Sequence, residues 1–458
     1  MDLYTKGHTF INIKPMFIFI HLFNALFSFQ GGYTEKICVI GAGFSGLASA
    51  RYLKEYGADF KVLEASRHIG GTWRFDPHVG VDEDGIPVFT SMYKGLKTNT
   101  PRQTMEYYEF PFPADTPSYP AGPCYYKYLK TFATEFDLLK HMQFQSLVTQ
   151  VKWADPGWNV TYMKTDSKTN QTDFCTFVIV STGEYANPVI PKFPGLENFK
   201  GKVLHSHDYK EPEPFRGSRL LAVGAGPSGL DMILHLTNVT AKFVHSHHLV
   251  YNQPNFGPNY VKKPDIREFT SNGVMFEDGS FEEIDTVLLC TGYEMDHSFL
   301  DKNVGVTATS KYVLPLYQHV INILHPSMAF VGLSKKVINK VMDAQAHYAA
   351  ALAAKKFELP PRQAMLQSWL DHAHALRRLV DVNVIGDKMD QYFGNLTAEA
   401  GIPLVPPVIA AIRNYNAKFR LDDWVNYRDY DFSIIDDKNF EKHYNPRVGT
   451  PCPFSDLE

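Results

Sequence analysis

Two glycine-rich loops hold the residues of this chain whose types and spacing could do chemistry. The first reads Gly41-Ala42-Gly43-Phe44-Ser45-Gly46 and the second Gly224-Ala225-Gly226-Pro227-Ser228-Gly229. A lone G-x-G-x-x-G says little; its meaning depends on a buried strand before it and a helix after it. Both loops have that context. KICVIGAG (36–43) and RLLAVGAG (219–226) contain apolar runs of the kind found in buried parallel strands. LASARYLKEYG and LDMILHL follow with helical apolar spacing. In such a unit the first glycine permits the tight turn and the second lets a pyrophosphate approach the backbone. The third lets helix and strand pack closely, and the helix N-terminus adds free N–H groups and partial positive charge.

The residues after each loop separate the two units. DFKVLEAS reads as a second strand and brings Glu64 to about 20 residues beyond the first loop, where a carboxylate accepts hydrogen bonds from an adenosine ribose. After the second loop, AKFVHSHH puts His245, Ser246, His247 and His248 at that place, and no carboxylate. A carboxylate would repel a 2′-phosphate, so NADPH is favoured over NADH there, although the usual Arg partner is missing. Two different nucleotide sites in one chain point to electron transfer between them. The expected fold is α/β with two dinucleotide-binding Rossmann-like domains.

Further motifs lie between and beyond the loops. Gly70-Gly71-Thr72-Trp73 follows Glu64, then Tyr93-Lys-Gly-Leu96-Lys-Thr98-Asn99-Thr100-Pro101, then FVIVSTGEY. The stretch from Phe199 to Tyr209 fits F-x-G-x-x-x-H-x-x-x-Y through Gly201 and His205. DTVLLCTGY, LYQHVINILHPSMAFVGL and the helix-like DAQAHYAAALAAKK come later. Together, and in this order, these resemble the flavin-containing monooxygenases over residues 33 to about 375. The resemblance implies FAD on the first unit, held by Gly41, Ala42, Gly43, Phe44, Ser45, Gly46, Glu64, Thr72, Trp73, Thr98 and Asn99. It implies NADPH on the second, lined by Gly224, Gly226, Ser228, Gly229, Leu230 and Asp231. Asn99 matches the Asn that the family places beside the reactive edge of the flavin; its amide donates hydrogen bonds and cannot ionise. His205 is conspicuous, but the resemblance makes it structural, in the link that positions the NADPH domain.

The chemistry so implied is NADPH- and O2-dependent. Hydride from NADPH reduces FAD, the reduced flavin takes up O2 as a hydroperoxide, and a soft nucleophile such as an amine nitrogen or a thioether sulfur attacks its electrophilic oxygen. The protein must keep water and protons away, because leakage makes hydrogen peroxide. No protein nucleophile and no metal is required. Flavin disulfide reductases share the two-nucleotide layout but need a C-x-x-x-x-C pair, and the cysteines stand only at 38, 124, 175, 290 and 452. Related ketone (Baeyer–Villiger) monooxygenases typically end the His motif in Trp or Pro followed by Asp, whereas Tyr209-Lys210 stands here. Amine or sulfur oxygenation is therefore favoured, with ketone oxygenation as the enzyme alternative. A non-catalytic flavin-binding protein is the alternative from another class.

The remaining composition bounds the picture. A chain of 458 residues suggests two to four domains at roughly 150 residues each. A net charge of −4 gives no support to nucleic-acid binding. The partners expected are a small nucleophilic substrate and O2, with self-association left open. Five cysteines cannot build a disulfide-dense scaffold, and Cys38, Cys175 and Cys290 sit in apolar runs that suggest buried thiols. The division expected is a targeting segment (1–32), an FAD domain (33–195), an NADPH domain (196–319), and a return to the FAD domain with a C-terminal cap (320–458). From Met16 the apolar run MFIFIHLFNALFSFQGG is short for a membrane span and fits the core of a secretory signal. No other stretch reaches spanning length, and the C-terminus is polar. Four N-x-S/T sequons begin at Asn159, Asn170, Asn238 and Asn395, little more than chance allows. In its targeting pattern the chain looks like secreted insect members of the family, among them N-oxygenases of pyrrolizidine alkaloids. That resemblance implies detoxification of a dietary amine, with the endoplasmic reticulum as the alternative location.

Overall fold

Apolar, β-branched strands that alternate with helices must bury both faces of a parallel sheet, and the chain does this twice. The computed structural model describes residues 35–335, 337–446 and 452–454. The signal-like run from Met16 lies outside the described residues. Among the described residues, no helix is long and apolar enough to cross a membrane.

The first sheet has seven strands. In its interior Ile37–Ile40 pairs in parallel with Phe60–Leu63 on one side and with Phe177–Val180, the middle strand, on the other. Helix α1 (Phe44–Glu55) follows the first loop, and helix α2 (Gly122–Glu135) belongs to the segment before Phe177–Val180. The chain then leaves for a second, five-stranded sheet built from strands between Lys202 and Lys263 together with Thr286–Leu289. There Arg219–Val223 pairs in parallel with Lys242–Ser246 and Thr286–Leu289, with helix α3 (Pro227–Leu236) after the second loop. The chain returns through Leu316–Tyr317, Ile321–Asn322 and Met328–Phe330, the last pairing with Phe177–Val180. The outward and return crossings, Asn187–Pro188 and Tyr293–Glu294, pair with each other as an antiparallel ribbon. Second-unit strands are thus inserted between strands of the first sheet, and Glu35–Glu458 forms one compact unit.

Helix α4 (Asn339–Ala353) packs on α1. Helices α5 (Arg362–His374), α6 (Met389–Ala400) and α7 (Pro407–Asp422) and the hairpin Tyr430–Ile434/Phe440–Tyr444 make up the motif-free C-terminal part.

Two sequence expectations change. From their sequence the segments WNVTYMKT and DFCTFVIVST look like hairpin strands packed on the FAD domain. Gly157–Lys164 does pair with Asn170–Cys175, but Phe177–Val180 crosses into the main sheet beside the first strand. Its four residues are all buried, which a hairpin edge would not require. The cysteines are also not all thiols. Cys38 is bonded to Cys175 and Cys124 to Cys452, leaving Cys290 free and buried. An apolar run hides a disulfide as readily as a thiol, so the sequence could not separate the two. Burial pushes the Cys290 thiol up to about 12, which makes it unreactive at neutral pH. Thiol titration of the unfolded, unreduced protein should therefore find one thiol per chain; three or five would refute the pairing.

Candidate active site

The first loop is shaped by contacts that only glycine allows. Gly41 has φ +98°, and a Cβ there would lie 2.6 Å from the Ser181 carbonyl oxygen. A Cβ on Gly46 would lie 1.8 Å from the Gly41 oxygen, so α1 rests directly on the turn. Gly43 is the N-cap of α1 and no side chain caps it, which leaves first-turn N–H groups for an anion. Ala42 N–H donates to Glu64 Oε2 at 2.7 Å. Glu64 Oε1 accepts from Ser66 N–H at 2.9 Å and Ser66 Oγ–H at 2.8 Å. Burial pushes this carboxyl up, and those donors together with the charge of Arg74 pull it back. The side chain thus stands beside the loop, as the ribose-reading role needs. Phe44 is buried and stacked on Tyr107 at 4.2 Å, so only its backbone faces the loop. Ser45 is buried against Gly332 of the AFVGL run, whose Cβ would be 2.6 Å from Ser45 Oγ.

A short turn, Gly71–Trp73, lies against this loop. Gly70 N–H donates to the Ala42 oxygen at 2.9 Å, and a Cβ on Gly71 would lie 3.0 Å from Gly43 Cα. The Trp73 ring packs on Tyr125 at 4.2 Å, and Thr72 Oγ1 pairs with Ser91 Oγ at 3.3 Å.

The Asn99 segment is held by its backbone while its side chain is left open. The carbonyl oxygens of Lys97, Thr98 and Asn99 accept from Arg428 Nη2 (3.4 Å), Arg428 Nε (3.0 Å) and Asn416 Nδ2 (3.0 Å). Thr98 N–H donates to the Pro120 oxygen at 3.0 Å. Thr98 Oγ1 is buried without a partner among the described residues. Asn99 is half-buried, and within the described residues only its carbonyl takes part in a hydrogen bond. An amide with two donors and an acceptor is thus free to meet a ligand.

The second loop repeats the first. A Cβ on Gly224 would lie 2.7 Å from the Cys290 oxygen, and one on Gly229 1.9 Å from the Gly224 oxygen. Gly226 caps α3 without a side-chain bond, and a Cβ there would meet nothing within 4 Å. It opens on a cavity of about 550 Å³ lined by residues 224–226, 246–249 and Asp265 among others. That open glycine beside a cavity fits a pyrophosphate. The hydrogen-bond register shows which histidine replaces Glu64. Gly41 N–H donates to the Leu63 oxygen and Gly224 N–H to the Ser246 oxygen, so His247 is the counterpart. His247 Nδ1 accepts from Leu249 N–H at 3.1 Å, which leaves the neutral ring with its proton on Nε2. Burial, then the charge of Lys262, push it down to about 4. His245 lies in the core, bonded to the Gly224 oxygen and the Tyr260 hydroxyl.

Leu230 and Asp231 differ from the sequence expectation. Both are buried. The Leu230 oxygen accepts from Trp424 Nε1 at 3.1 Å. Asp231 accepts from Arg428 Nη1 at 2.8 Å and from the Tyr93 hydroxyl. Their side of α3 faces the protein interior, whereas Gly226 opens on the cavity. His205 is buried, and its Nδ1 accepts from His207 N–H at 3.0 Å as the cap of a short turn. Burial holds it near 4, so the ring is neutral at neutral pH. Sequence reasoning missed Asn416, Trp424 and Arg428, which sit in no motif, and did not foresee the bond from Tyr93, the first residue of the Asn99 motif, to Asp231; all four gain their partners from distant segments.

Two dinucleotide-binding units, one with a carboxylate at the ribose position and one without, define a flavoprotein that takes reducing equivalents from a nicotinamide coenzyme. The chain matches the flavin-binding monooxygenase-like family over residues 34–249 and 257–402. It is 49% identical to a senecionine N-oxygenase of Tyria jacobaeae, covering 93% of this chain and 96% of that protein. It is 30% identical to flavin-containing monooxygenase 3 of Oryctolagus cuniculus, covering 72% and 76%. Among solved structures, an S-allyl-L-cysteine S-oxygenase from Allium sativum superimposes with TM-score 0.79 at 26% identity, over 87% of this chain and 95% of that one. The chain belongs to the flavin-containing monooxygenase family and is an FAD- and NADPH-dependent monooxygenase.

Two glycines separate folding from coenzyme binding. Gly46→Ala should abolish soluble, flavin-loaded protein, because the contact beneath it is backbone. Gly226→Ala should fold and keep its flavin, while the KM for NADPH rises roughly tenfold, about 1.4 kcal/mol. Flavin absorbance and steady-state kinetics check both.

Proposed function

We propose that this monooxygenase N-oxygenates tertiary amines, alkaloids of plant food among them, and so detoxifies them. The observation that carries the reading is the open amide of Asn99 on a backbone pinned by Arg428 and Asn416. The name of the 49% identical relative, a senecionine N-oxygenase, supports the amine and the alkaloid. Thioether sulfur is the second reading, favoured by the likeness to the S-allyl-L-cysteine S-oxygenase.

When bound, FAD and NADPH supply hydride transfer and the activation of O2, so that one oxygen atom passes to a lone pair on the substrate and the other leaves as water. The protein's own part is positioning and exclusion. The loop from Gly41 to Gly46 would take the pyrophosphate of FAD and Glu64 its adenosine ribose, with the turn that carries Thr72 and Trp73 lying against the loop through Gly71. Gly224, Gly226 and Ser228 receive NADPH, and the neutral Nε2–H of His247 offers its ribose a donor. Asn99 offers N–H donors that cannot ionise, so it stabilises developing negative charge on oxygen without supplying a proton to a leak.

Asn99→Ala should retain bound flavin and still oxidise NADPH. N-oxide formation should fall about 10²-fold, the cost of removing one positioned donor. Product mass for a tertiary-amine alkaloid, a thioether and a cyclic ketone ranks the substrates. Preferred turnover of the ketone would overturn the proposal, as would normal oxygenation by the Asn99 variant.

We also propose that the protein is secreted. The apolar run from Met16, the two disulfides and the exposure of Asn159, Asn170, Asn238 and Asn395 support that reading. Expression of the full chain in insect cells should place it in the medium with a mass that endoglycosidase lowers; retention in the cytosol would refute it.

A further inference from the structure

The C-terminal segment has no motif, yet one of its side chains touches both nucleotide units. All three guanidinium nitrogens of Arg428 are used. Nε and Nη2 donate to the carbonyls of Thr98 and Lys97, and Nη1 donates to Asp231 on α3. The other oxygen of Asp231 accepts from Tyr93, four residues before Lys97 in the same segment. Trp424 donates to the Leu230 carbonyl one residue away on α3. The side chains of Arg428 and Asp231 are only 11% and 6% exposed.

We propose that Arg428 is a positioning residue for oxygenation. It holds the Asn99 segment at a fixed distance from the helix of the NADPH unit, so that the amide and the coenzyme meet in register. This rests on the reading of Asn99 given above. A buried charge pair is a poor source of stability, because desolvation cancels most of the attraction. Its strength is direction, and a planar fork with donors on two sides sets the separation of two bodies as apolar packing does not. A displacement of about 1 Å at a reacting centre costs on the order of 100-fold in rate. Asn416 completes the grip. Its Nδ2 holds the Asn99 carbonyl while its Oδ1 accepts from the Tyr119 hydroxyl at 2.6 Å.

The test uses the flavin-loaded full chain with NADPH, O2 and a tertiary amine. Arg428→Lys keeps a positive charge for Asp231 but offers one nitrogen, which cannot reach both units. Flavin content and the visible spectrum should stay as in the parent. Hydrogen peroxide released per NADPH oxidised should rise roughly tenfold, with the KM for NADPH raised as well. Tyr93→Phe removes a single bond to Asp231 and should move both quantities the same way by a smaller factor; it decides the matter if Arg428→Lys does not fold. Unchanged peroxide release and KM in a flavin-loaded variant would overturn the proposal. If Asn99→Ala leaks peroxide and Arg428→Lys does not, the clamp alone is wrong. If Asn99→Ala does not leak, the reading of Asn99 falls first and the clamp with it.

Discussion

Each nucleotide unit depends on a helix resting directly on the turn that begins it. Gly46 sits over the Gly41 carbonyl and Gly229 over the Gly224 carbonyl, at distances that leave no room for a Cβ. That approach brings the N-terminus of α1 or α3 to the end of the strand before it with first-turn N–H groups uncapped by side chains. A phosphate-binding surface made of backbone follows from it. The side chains that distinguish the two coenzymes, Glu64 and His247, then project from the tip of the neighbouring strand because each pairs in register with the first.

Two such units do not make an oxygenase unless they face each other at a set distance. The chain crosses between them twice, at Asn187–Pro188 and Tyr293–Glu294, and the crossings pair as a ribbon. A two-residue ribbon is a thin connection. The further constraint comes from the C-terminal segment, where Trp424, Asn416 and Arg428 bond to carbonyls on both sides. The cap expected over the FAD domain is thus also a brace between domains. Its charge pair costs desolvation energy that apolar residues would not, and what it gives in return is orientation.

The disulfides act at a different level. Cys38–Cys175 joins the Ile37–Ile40 strand to the end of the outer hairpin, and Cys124–Cys452 ties the C-terminal tail to α2. The latter closes a loop with a sequence separation of 328 residues. It holds the tail beside the aromatic cluster of Phe112, Tyr128 and Phe454.

Much of the site is legible in the sequence. Glycine patterns, apolar runs and a carboxylate at a set spacing report local backbone requirements, and those are written in consecutive residues. Hence both loops, Glu64 and the histidine run could be read, and the motif order carried Asn99 by resemblance. Which histidine replaces Glu64 could not be read, since that is a matter of strand register. Nor could the inward turn of Asp231, the pairing of the cysteines, or the crossing of Phe177–Val180 into the main sheet. Arg428 and Asn416 lay deeper still, because their partners on the Asn99 segment are more than three hundred residues away in the chain. The sequence alone determined which turns must be glycine and which two coenzymes they cradle, since sterics and charge act locally. Tertiary structure decided how those cradles are held together, because the bonds that do it join residues that meet only when the whole chain has folded.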